Sequence, residues 1–402
     1  MRPGTLPSCA MIALAIGSFA TASQPDVRFI QPDPKQGLSA AVVVPAETAL
    51  VFSTQVVGPE SEEPGTAPDS LVAEVFDRLD AMLQAGGSGL DRAVRLHVVL
   101  AKADLLPVLQ AHLVERFGEQ EPPALTVVEG TLPRPGAWIG VDAVATTDAQ
   151  PPAGQVAHPQ VPLGRAAGQI AGAPLAVLPG GPRVFIAGQA EPADDLATAT
   201  RKTLESLAET LEHLGLGTEQ VVQLKAFYLP PESAEVVERE VATFFQGNVV
   251  PPLVLVEWQS TLPIEIELVA TAPDPGSDQV IDYLATPSLP ASPVYSRVAR
   301  VNRGDLVFLS GLFGSEGASG AAQVEEIFDA MIALLKTSGS DLDHLAKATY
   351  YVSANDSSQA LNDLRPNYYD PNRPPAASKA QVRGVGRGGR SITVDMIAVV
   401  PE

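Results

Sequence analysis

The chain has 402 residues, of which 45% are hydrophobic and 18% charged, so it is long enough for several globular cores and is not of disordered composition. Its 26 basic and 47 acidic residues leave a net charge of −21. A surface of this sign repels nucleic-acid phosphates and anionic lipid headgroups, so composition argues against a nucleic-acid or membrane partner.

The first residues have the pattern of a secretory signal peptide. Arg2 precedes an apolar run from Cys9 to Ala20, and Ala20, Thr21 and Ala22 form a small-residue cleavage site. The run is too short to span a bilayer. We therefore expect residues 1–22 to be removed and the chain to be exported, to the periplasm or outside the cell; the alternative is a disordered apolar leader. Cys9 is the only cysteine, so no disulfide is expected in the mature protein.

Three landmarks recur along the chain in the same order and at a nearly constant interval. The apolar segments 93–101, 221–229 and 345–353 are each followed by a pair of prolines and then by a closing strand with an acidic residue at its centre. These acidic residues are Asp142, Glu267 and Asp395. A conserved order at a fixed period indicates that one structural module is repeated three times.

Each copy begins with an almost continuously apolar segment, at 49–55, 183–189 and 306–312, which is typical of a strand covered on both faces. A helical stripe such as Leu204, Leu207 and Leu211 follows, and later a second helix, near 103–117, 233–245 and 357–368. The pattern predicts the order β-β-α-β-α-β-β, an α+β sandwich. We divide the chain into a signal peptide (1–22), module 1 (36–147), a linker (148–160), module 2 (161–272), a second linker (273–290) and module 3 (291–402).

The helices can cover only one face of each sheet, whereas the strands are apolar on both faces. The uncovered faces must therefore be buried against something else. Three similar modules can turn these faces inward around a pseudo-threefold axis and close one shared core. We expect a monomeric pseudotrimer, in which the modules pair with one another within the chain.

Several stretches resemble one protein family. They are "VFIAGQ" (184–189), "VVQLKAFYL" (221–229), "IEIELVA" (264–270), the proline pairs and, above all, "YSRVARVNRGDLVFLSG" (295–311). The chain thereby resembles the RidA/YjgF family, also called L-PSP or reactive-intermediate deaminases. The resemblance implies a chorismate-mutase-like fold, trimeric assembly with ligand sites between subunits, and hydrolysis of 2-imines or 2-enamines of amino acids without a cofactor.

The resemblance also implies site residues, and here the chain departs from the family pattern. The arginine that clamps the substrate carboxylate is replaced by Ala124, Leu253 and Ala377 in the three copies. The glutamate that holds the attacking water is matched only by Glu265, with Gly140 and Thr393 in the other copies. We expect Glu265 to be the catalytic carboxylate and the ligand-binding set to be Gln55, Gly188, Gln189, Tyr295, Gly311 and Lys379.

Lys379 enters this set because it lies two residues beyond Ala377, on the same strand face, where it could supply a substitute cation. A lysine is a point charge without the bidentate geometry of arginine, and a solvated strand lysine is the alternative interpretation. The glycine-rich, basic segment 383–391 could bind an anion. Its position between two strands favours a flexible hairpin instead. The five histidines are not spaced as metal ligands, so no metal site is expected.

Two functions from different classes remain open. The first is an exported hydrolase of C–N bonds, similar to 2-iminobutanoate/2-iminopropanoate deaminases, that works at a cleft between modules. The second is a non-catalytic scaffold for a small molecule or a protein partner that kept the trimeric architecture. Neither requires a cofactor. Members of the family have also been called ribonucleases, and the net charge of −21 argues against that activity here.

Overall fold

A computed structural model describes Met1 and residues 26–58, 67–161, 172–286 and 292–401. Apart from Met1, the predicted signal peptide lies outside the described residues. Within them the chain forms three mixed sheets of six strands each and six α-helices. The expected α+β class is confirmed. None of the described helices is both long enough and apolar enough to cross a membrane.

The elements follow the predicted order in each copy, preceded by an N-terminal hairpin. The hairpin consists of β1 (Arg28–Asp33) and β2 (Leu38–Val44). Module 1 continues with β3 (Leu50–Ser53), β4 (Val56–Val57), α1 (Pro68–Ala85), β5 (Ala93–Leu100), α2 (Leu106–Phe117), β6 (Ala124–Glu129) and β7 (Ile139–Thr146). Module 2 comprises β8 (Leu175–Leu178), β9 (Arg183–Gln189), α3 (Leu196–His213), β10 (Val221–Tyr228), α4 (Ala234–Phe244), β11 (Leu253–Glu257) and β12 (Ile264–Thr271). The remaining elements are β13 (Ile281–Leu284), β14 (Val298–Val301), β15 (Asp305–Leu309), α5 (Gly320–Ser338), β16 (Leu345–Val352), α6 (Asn355–Leu364), β17 (Ala376–Gln381) and β18 (Ile392–Val400).

The long helices begin and end where their sequences supply the caps. Asp195 precedes α3, and its carboxylate accepts a hydrogen bond from the backbone N–H of Thr198. Gly339 follows α5 at a φ of 93°, the left-handed conformation that glycine adopts without strain. The apolar stripe of each helix packs on its own sheet, as Leu204 and Leu207 do in module 2. One face of every sheet is thus covered locally.

The sheets do not follow the module boundaries, because each takes strands from the next copy along the chain. Strands β13 and β14 extend the module 2 sheet beside β9, and β8 pairs with β3 of module 1. The N-terminal hairpin closes the cycle: β2 pairs with β15 of module 3, with Val44 opposite Leu306. The interval 273–290, predicted as a linker, contains β13. We call this arrangement the strand exchange.

The exchange depends on short connections such as the one between β14 and β15. Val301 ends one strand in the module 2 sheet, and Asp305 begins another in the module 3 sheet. Gly304 between them has a φ of 94°, and a Cβ at this position would lie 2.4 Å from the carbonyl oxygen of Val400. Only glycine fits both constraints. At this glycine the chain leaves the module 2 sheet and enters the module 3 sheet.

The faces without helices meet in one core, as expected from the sequence. This core collects side chains of all three modules around a common axis, and burial of each contributes about 1.5–3 kcal/mol for the larger aliphatic and aromatic residues. It contains Phe52, Val94 and Val144 from module 1, Phe185, Val222 and Val269 from module 2, and Phe308, Ala346 and Ile397 from module 3.

Candidate functional site

The strand register identifies equivalent positions in the three closing strands. Gly140, Glu265 and Thr393 lie opposite Val99, Phe227 and Tyr351 in the middle strands β5, β10 and β16. The pairs are Gly140 with Val99, Glu265 with Phe227, and Thr393 with Tyr351. All three face the shared core, not the helices. Among these positions only module 2 presents a carboxylate.

The register also locates the positions expected for the carboxylate clamp. Leu253 lies opposite Leu224, and Ala377 lies opposite Ala348, in corresponding places of their modules. In module 1 the corresponding residue is Leu125, opposite Leu96, and Ala124 lies one position earlier. The side chain at this point of the edge strand is therefore aliphatic in every module.

Charged side chains surround the pseudo-threefold axis, where the three closing strands converge. The guanidinium group of Arg95 donates hydrogen bonds to Asp395 of module 3 and lies 3.8 Å from Asp142 of its own module. The ammonium group of Lys347 contacts Glu267 of module 2 at 2.7 Å. The Arg95–Asp395 and Lys347–Glu267 pairs thus each join two modules. All of these side chains are buried, so either partner alone would be a costly charge in the core.

Lys225 adds a third cation to this axial cluster. Burial, together with the nearby charge of Arg95, lowers the pKa of its amine to about 8, although Asp142 acts in the opposite direction. His97 stays neutral, because burial lowers its pKa. Its Nδ1 lies 2.7 Å from Asp142, and its Nε2 lies 3.2 Å from the hydroxyl group of Tyr351. Since Asp142 can only accept, Nδ1 carries the proton and Nε2 accepts from Tyr351.

The cleft between modules 2 and 3, which we call the Glu265 cleft, brings predicted and unpredicted residues together. The backbone N–H of Gly188 donates to the hydroxyl oxygen of Ser378 at 3.1 Å. A Cβ on Gly188 would lie only 2.0 Å from the Glu265 carboxylate and 2.6 Å from the Ser378 hydroxyl. A side chain at this position would displace the Glu265 carboxylate, because the carboxylate occupies the space beside the Gly188 backbone.

The carboxyl group of Glu265 is adapted to exchange protons near neutral pH. Burial raises its pKa to about 7, and the neighbouring charge of Glu267 acts in the same direction. The Ser378 hydrogen bond and the charges of Lys379 and Arg297 oppose this shift. A carboxyl group with such a pKa can act as a general base and then as a general acid in one reaction.

Arg297 is a cation of this cleft that the sequence analysis did not identify. Its guanidinium carbon lies 5.0 Å from the centre of the Tyr295 ring, and its backbone carbonyl accepts from Ala187 at 2.9 Å. Its buried Nε has no hydrogen-bond partner among the described residues. The spacing of Tyr295 and Arg297, two positions apart on an extended segment, is the sequence signal that could have revealed the pair.

Two predicted ligand-binding residues of modules 2 and 3 are engaged in bonds to their own helices. The ammonium group of Lys379 donates to Ser358 at 3.1 Å and to Asn362 at 3.0 Å, both on α6. The amide nitrogen of Gln189 donates to Thr210 of α3 at 2.8 Å. Gln189 therefore points into the helix layer, and Lys379 reaches Glu265 only through its charge.

The cleft between modules 1 and 2 is closed by Gln55. Its backbone N–H donates to the carbonyl oxygen of Leu253 at 3.1 Å, and its side-chain oxygen accepts from the N–H of Leu255 at 3.4 Å. A Cβ on Gly140 would lie 3.1 Å from the Gln55 amide nitrogen and 2.9 Å from Leu132. The side chain of Gln55 thus fills the space that Glu265 uses in the other cleft.

The cleft between modules 3 and 1 contains the last predicted residue, Gly311. Its backbone N–H donates to the carbonyl oxygen of Leu125 at 2.9 Å, and a Cβ would lie 2.9 Å from the Thr393 hydroxyl oxygen. The predicted residues therefore divide among three clefts. Among the described residues, a carboxylate, a cation with an unpaired donor and an aromatic ring come together in the Glu265 cleft alone.

The fold and the clefts define the class of protein. Three similar α+β modules of one chain pack as the subunits of a trimer would, and each cleft between two modules has its own set of residues. Residues 286–400 match the family model described as Endoribonuclease L-PSP. The third module is thus similar to this family, which is also known as RidA/YjgF.

Individual relatives are similar to parts of the chain. Protein DfrA of Myxococcus xanthus is 29% identical over 112 residues, which cover 26% of this chain and 84% of that protein. A YjgF-family protein from Neisseria meningitidis is 23% identical, with a TM-score of 0.23, over 30% of this chain and 96% of its own. A putative endoribonuclease from Thermotoga maritima is 22% identical, with a TM-score of 0.23, over 31% of this chain and 100% of its own.

Proposed function

We propose that the protein hydrolyses small 2-imino or 2-enamino acids to 2-keto acids at the Glu265 cleft. The observation that carries this proposal is a carboxyl group with a pKa of about 7, in contact with Ser378 and Gly188 and beside an arginine with an unpaired donor. The match of residues 286–400 to the L-PSP family model adds support, because the resemblance to that family implies this reaction at sites between subunits.

Glu265 would act on the water that attacks the imine carbon. The substrate enters with its imine nitrogen protonated. As the new C–O bond forms, the Glu265 carboxylate accepts a proton from the water and the C=N π electrons pass to the nitrogen, which gives a neutral carbinolamine. The carboxyl group then returns its proton to the amine nitrogen. The C–N bond breaks as the hydroxyl oxygen forms the C=O bond of the 2-keto acid, and the hydroxyl proton passes through solvent to the departing ammonia. Ammonium and the 2-keto acid leave, Glu265 is again a carboxylate, and the reaction needs no cofactor.

Arg297 would hold the substrate carboxylate in place of the missing clamp. Its guanidinium group offers planar paired donors, of which the buried Nε has no partner among the described residues. Packing on the Tyr295 ring fixes its orientation. Ser378 holds Glu265 from the opposite side of the cleft. Lys379 contributes positive charge, but its ammonium group stays bonded to α6.

The direct test measures keto-acid release from freshly generated 2-iminopropanoate above the spontaneous rate. We expect Glu265→Gln to lower turnover by about 10²–10⁴-fold, the usual contribution of a general base. Glu205→Gln makes the same chemical change on the exposed face of α3 and should leave turnover unchanged. Equal turnover in the wild type and Glu265→Gln would contradict the proposal; no turnover in the folded wild type would leave a non-catalytic binding scaffold.

The pH profile and a second variant separate the roles of the two residues. Turnover should rise with pH through about 7, because the base must be deprotonated, and this rise should be absent from Glu265→Gln. Arg297→Gln should raise KM more than it lowers kcat, since the guanidinium group binds substrate and does not transfer protons. A flat profile in the wild type would remove Glu265 from the chemistry.

We also propose that the chain is exported after cleavage near Ala22. The support is the basic, apolar and small-residue pattern of the first 22 residues, described above. Mass spectrometry of the protein recovered outside the cytosol should give Ser23 as its first residue. A full-length chain that stays inside the cell would contradict export.

A further inference from the structure

The two carboxylates of β12 share one neighbour from another module. Glu265 and Glu267 are two positions apart on this strand, so their side chains leave the sheet on the same face. The hydroxyl group of Ser378, on β17 of module 3, lies within hydrogen-bonding reach of both. Ser378 and Glu267 are both buried. A side chain of module 3 therefore connects the carboxyl group of the Glu265 cleft to the axial cluster.

The surroundings of Glu267 keep it ionised while Glu265 exchanges its proton. The ammonium group of Lys347 lies 2.7 Å from the Glu267 carboxylate and donates to the hydroxyl group of Thr349 at 2.8 Å. That hydroxyl group lies 3.5 Å from both oxygens of the same carboxylate. Burial by itself would raise the pKa of Glu267, but the charges of Lys347 and Lys225 outweigh it and hold the pKa below its usual value. Glu265 thus faces a permanent negative charge.

The groups that face Glu265 act on its proton in opposite directions. Burial raises the pKa of Glu265 most, and the charge of Glu267 adds to this effect. The Ser378 hydrogen bond, the charge of Lys379 on β17 and that of Arg297, which precedes β14, lower it. The ammonium group of Lys379 is bonded to α6, so it acts only through its charge. The hydrogen bond that can respond to the proton on Glu265 is therefore the one with Ser378.

The Ser378 hydroxyl group can satisfy either protonation state of Glu265. A hydroxyl group has one proton to donate and two lone pairs that accept. The backbone N–H of Gly188 donates to the Ser378 oxygen at 3.1 Å and uses one lone pair. When Glu265 is ionised, Ser378 can donate to it. When Glu265 is protonated, its O–H can donate to the second lone pair, and the Ser378 proton can turn to Glu267.

We propose that Ser378 and Glu267 are positioning residues for the reaction at the Glu265 cleft. The Ser378 hydroxyl group donates to Glu265 while this carboxylate accepts the proton of the water, and rotates toward Glu267 once the proton has arrived. Ser378 keeps its own proton throughout, so the proton balance of the reaction is unchanged. The proposal rests on hydrolysis at the Glu265 cleft, and it gives the Lys347–Glu267 pair a part in the reaction as well as in stability.

The test compares the pH at which turnover of 2-iminopropanoate reaches half of its maximum, about 7 in the wild type, among variants of the full mature chain. Ser378→Ala removes a hydrogen bond to the ionised carboxylate, so this midpoint should rise. Glu267→Gln removes the facing negative charge, so the midpoint should fall by about one pH unit, the lower end of the shifts that a nearby charge produces. Opposite shifts in neighbouring residues are not the result of a general loosening of the structure.

Two control variants separate this coupling from a loss of stability. The double variant Glu267→Gln and Lys347→Met removes both partners of the pair and leaves no unpaired buried charge. Its midpoint should fall as in Glu267→Gln. Asp395→Asn instead unpairs a different buried charge of the axial cluster, that of Arg95, and should leave the midpoint where it is in the wild type.

A direct measurement of the Glu265 pKa gives the same comparison without turnover. Carbon-13 NMR follows the labelled glutamate carboxyl groups, and the signal missing from Glu265→Gln assigns this one. An unchanged pKa in both Ser378→Ala and Glu267→Gln, or shifts in the same direction, would overturn the proposal. Both shifts in a folded protein without turnover would count against hydrolysis alone, because the link between Ser378, Glu267 and Glu265 would still be present.

Discussion

The clefts on either side of module 2 are built from equivalent strands and differ in what fills them. On one side Gln55 bonds to the backbone of Leu255 and closes the space over Gly140. On the other side Glu265 occupies the corresponding place and keeps Ser378 and Arg297 close to its carboxylate. In a trimer of identical chains every cleft has the same residues. Fusion into one chain removes that constraint, so one cleft can be filled by side chains while another keeps its charged and polar groups.

The largest expected effect on the free energy of unfolding comes from removing one partner of the buried Arg95–Asp395 ion pair, which lies between the two clefts. Asp395→Asn leaves the buried guanidinium group of Arg95 without its hydrogen-bonded carboxylate. We expect a loss of about 3–5 kcal/mol in the free energy of unfolding, measured by denaturant titration. Asp148→Asn removes the exposed partner of Arg92, also held by two hydrogen bonds, and should cost less than about 1 kcal/mol. Similar losses in the two variants would show that the buried Arg95–Asp395 pair contributes no more to stability than the exposed Arg92–Asp148 pair.

A second change tests whether the cleft between modules 1 and 2 is closed by packing. Gly140→Glu places a side chain against Leu132 and Gln55, whose atoms lie 2.9 and 3.1 Å from the position of the new Cβ. Overpacking of this kind should destabilise the fold by about 1–3 kcal/mol and should not create a second active cleft. Adding Gln55→Gly to this variant should recover part of the loss, because it vacates the same space. Thermal unfolding of the single and double variants measures both effects, and an unchanged melting temperature in Gly140→Glu would contradict a filled cleft.

The smallest expected effect is the pH dependence of stability that Lys225 causes, and it tests whether this axial amine is desolvated. Its amine has a pKa of about 8 in the folded chain and 10.5 as a free side chain, so between these values the unfolded chain binds more protons. Stability should therefore rise with pH across this window, by at most about 1.4 kcal/mol per pH unit. The measurement is the free energy of unfolding of the wild type and of Lys225→Met at a series of pH values. The difference between the two curves isolates Lys225, because methionine does not titrate. Identical pH dependence of the two proteins from pH 8 upward would mean that Lys225 is not desolvated.

Much of the fold could be predicted because the periodic signals are local. The stripe of Leu204 and Leu207 and the proline pairs identify the elements of each copy, whichever sheet they join. The strand exchange could not be predicted in this way. The apolar face of β2 buries equally well against its own module or against β15, and Gly304 permits either a hairpin or a change of sheet.

The site was predicted in part for a similar reason. Glu265 and Gly188 belong to a recognisable strand pattern, and the structure brings them together. Arg297 and Ser378 carry no motif, since their roles arise from the pairing of two modules that are distant in sequence. Gln189 shares the pattern of its strand, but its side chain turns toward Thr210 because the helix layer offers a hydrogen-bond partner there.

The strand exchange also determines when the molecule can be completed during synthesis. The hairpin of β1 and β2 leaves the ribosome before the other described strands and helices, yet its partner β15 is made only after modules 1 and 2 have emerged. Until then the edge of β2 stays unpaired, and the sheet that will receive it does not exist. Every sheet contains strands encoded in two copies, so cutting the chain between copies would remove strands from a sheet. The hairpin therefore reaches its final position only when module 3 has been made. A nascent chain stopped before β15 would expose this apolar hairpin to chaperones and proteases.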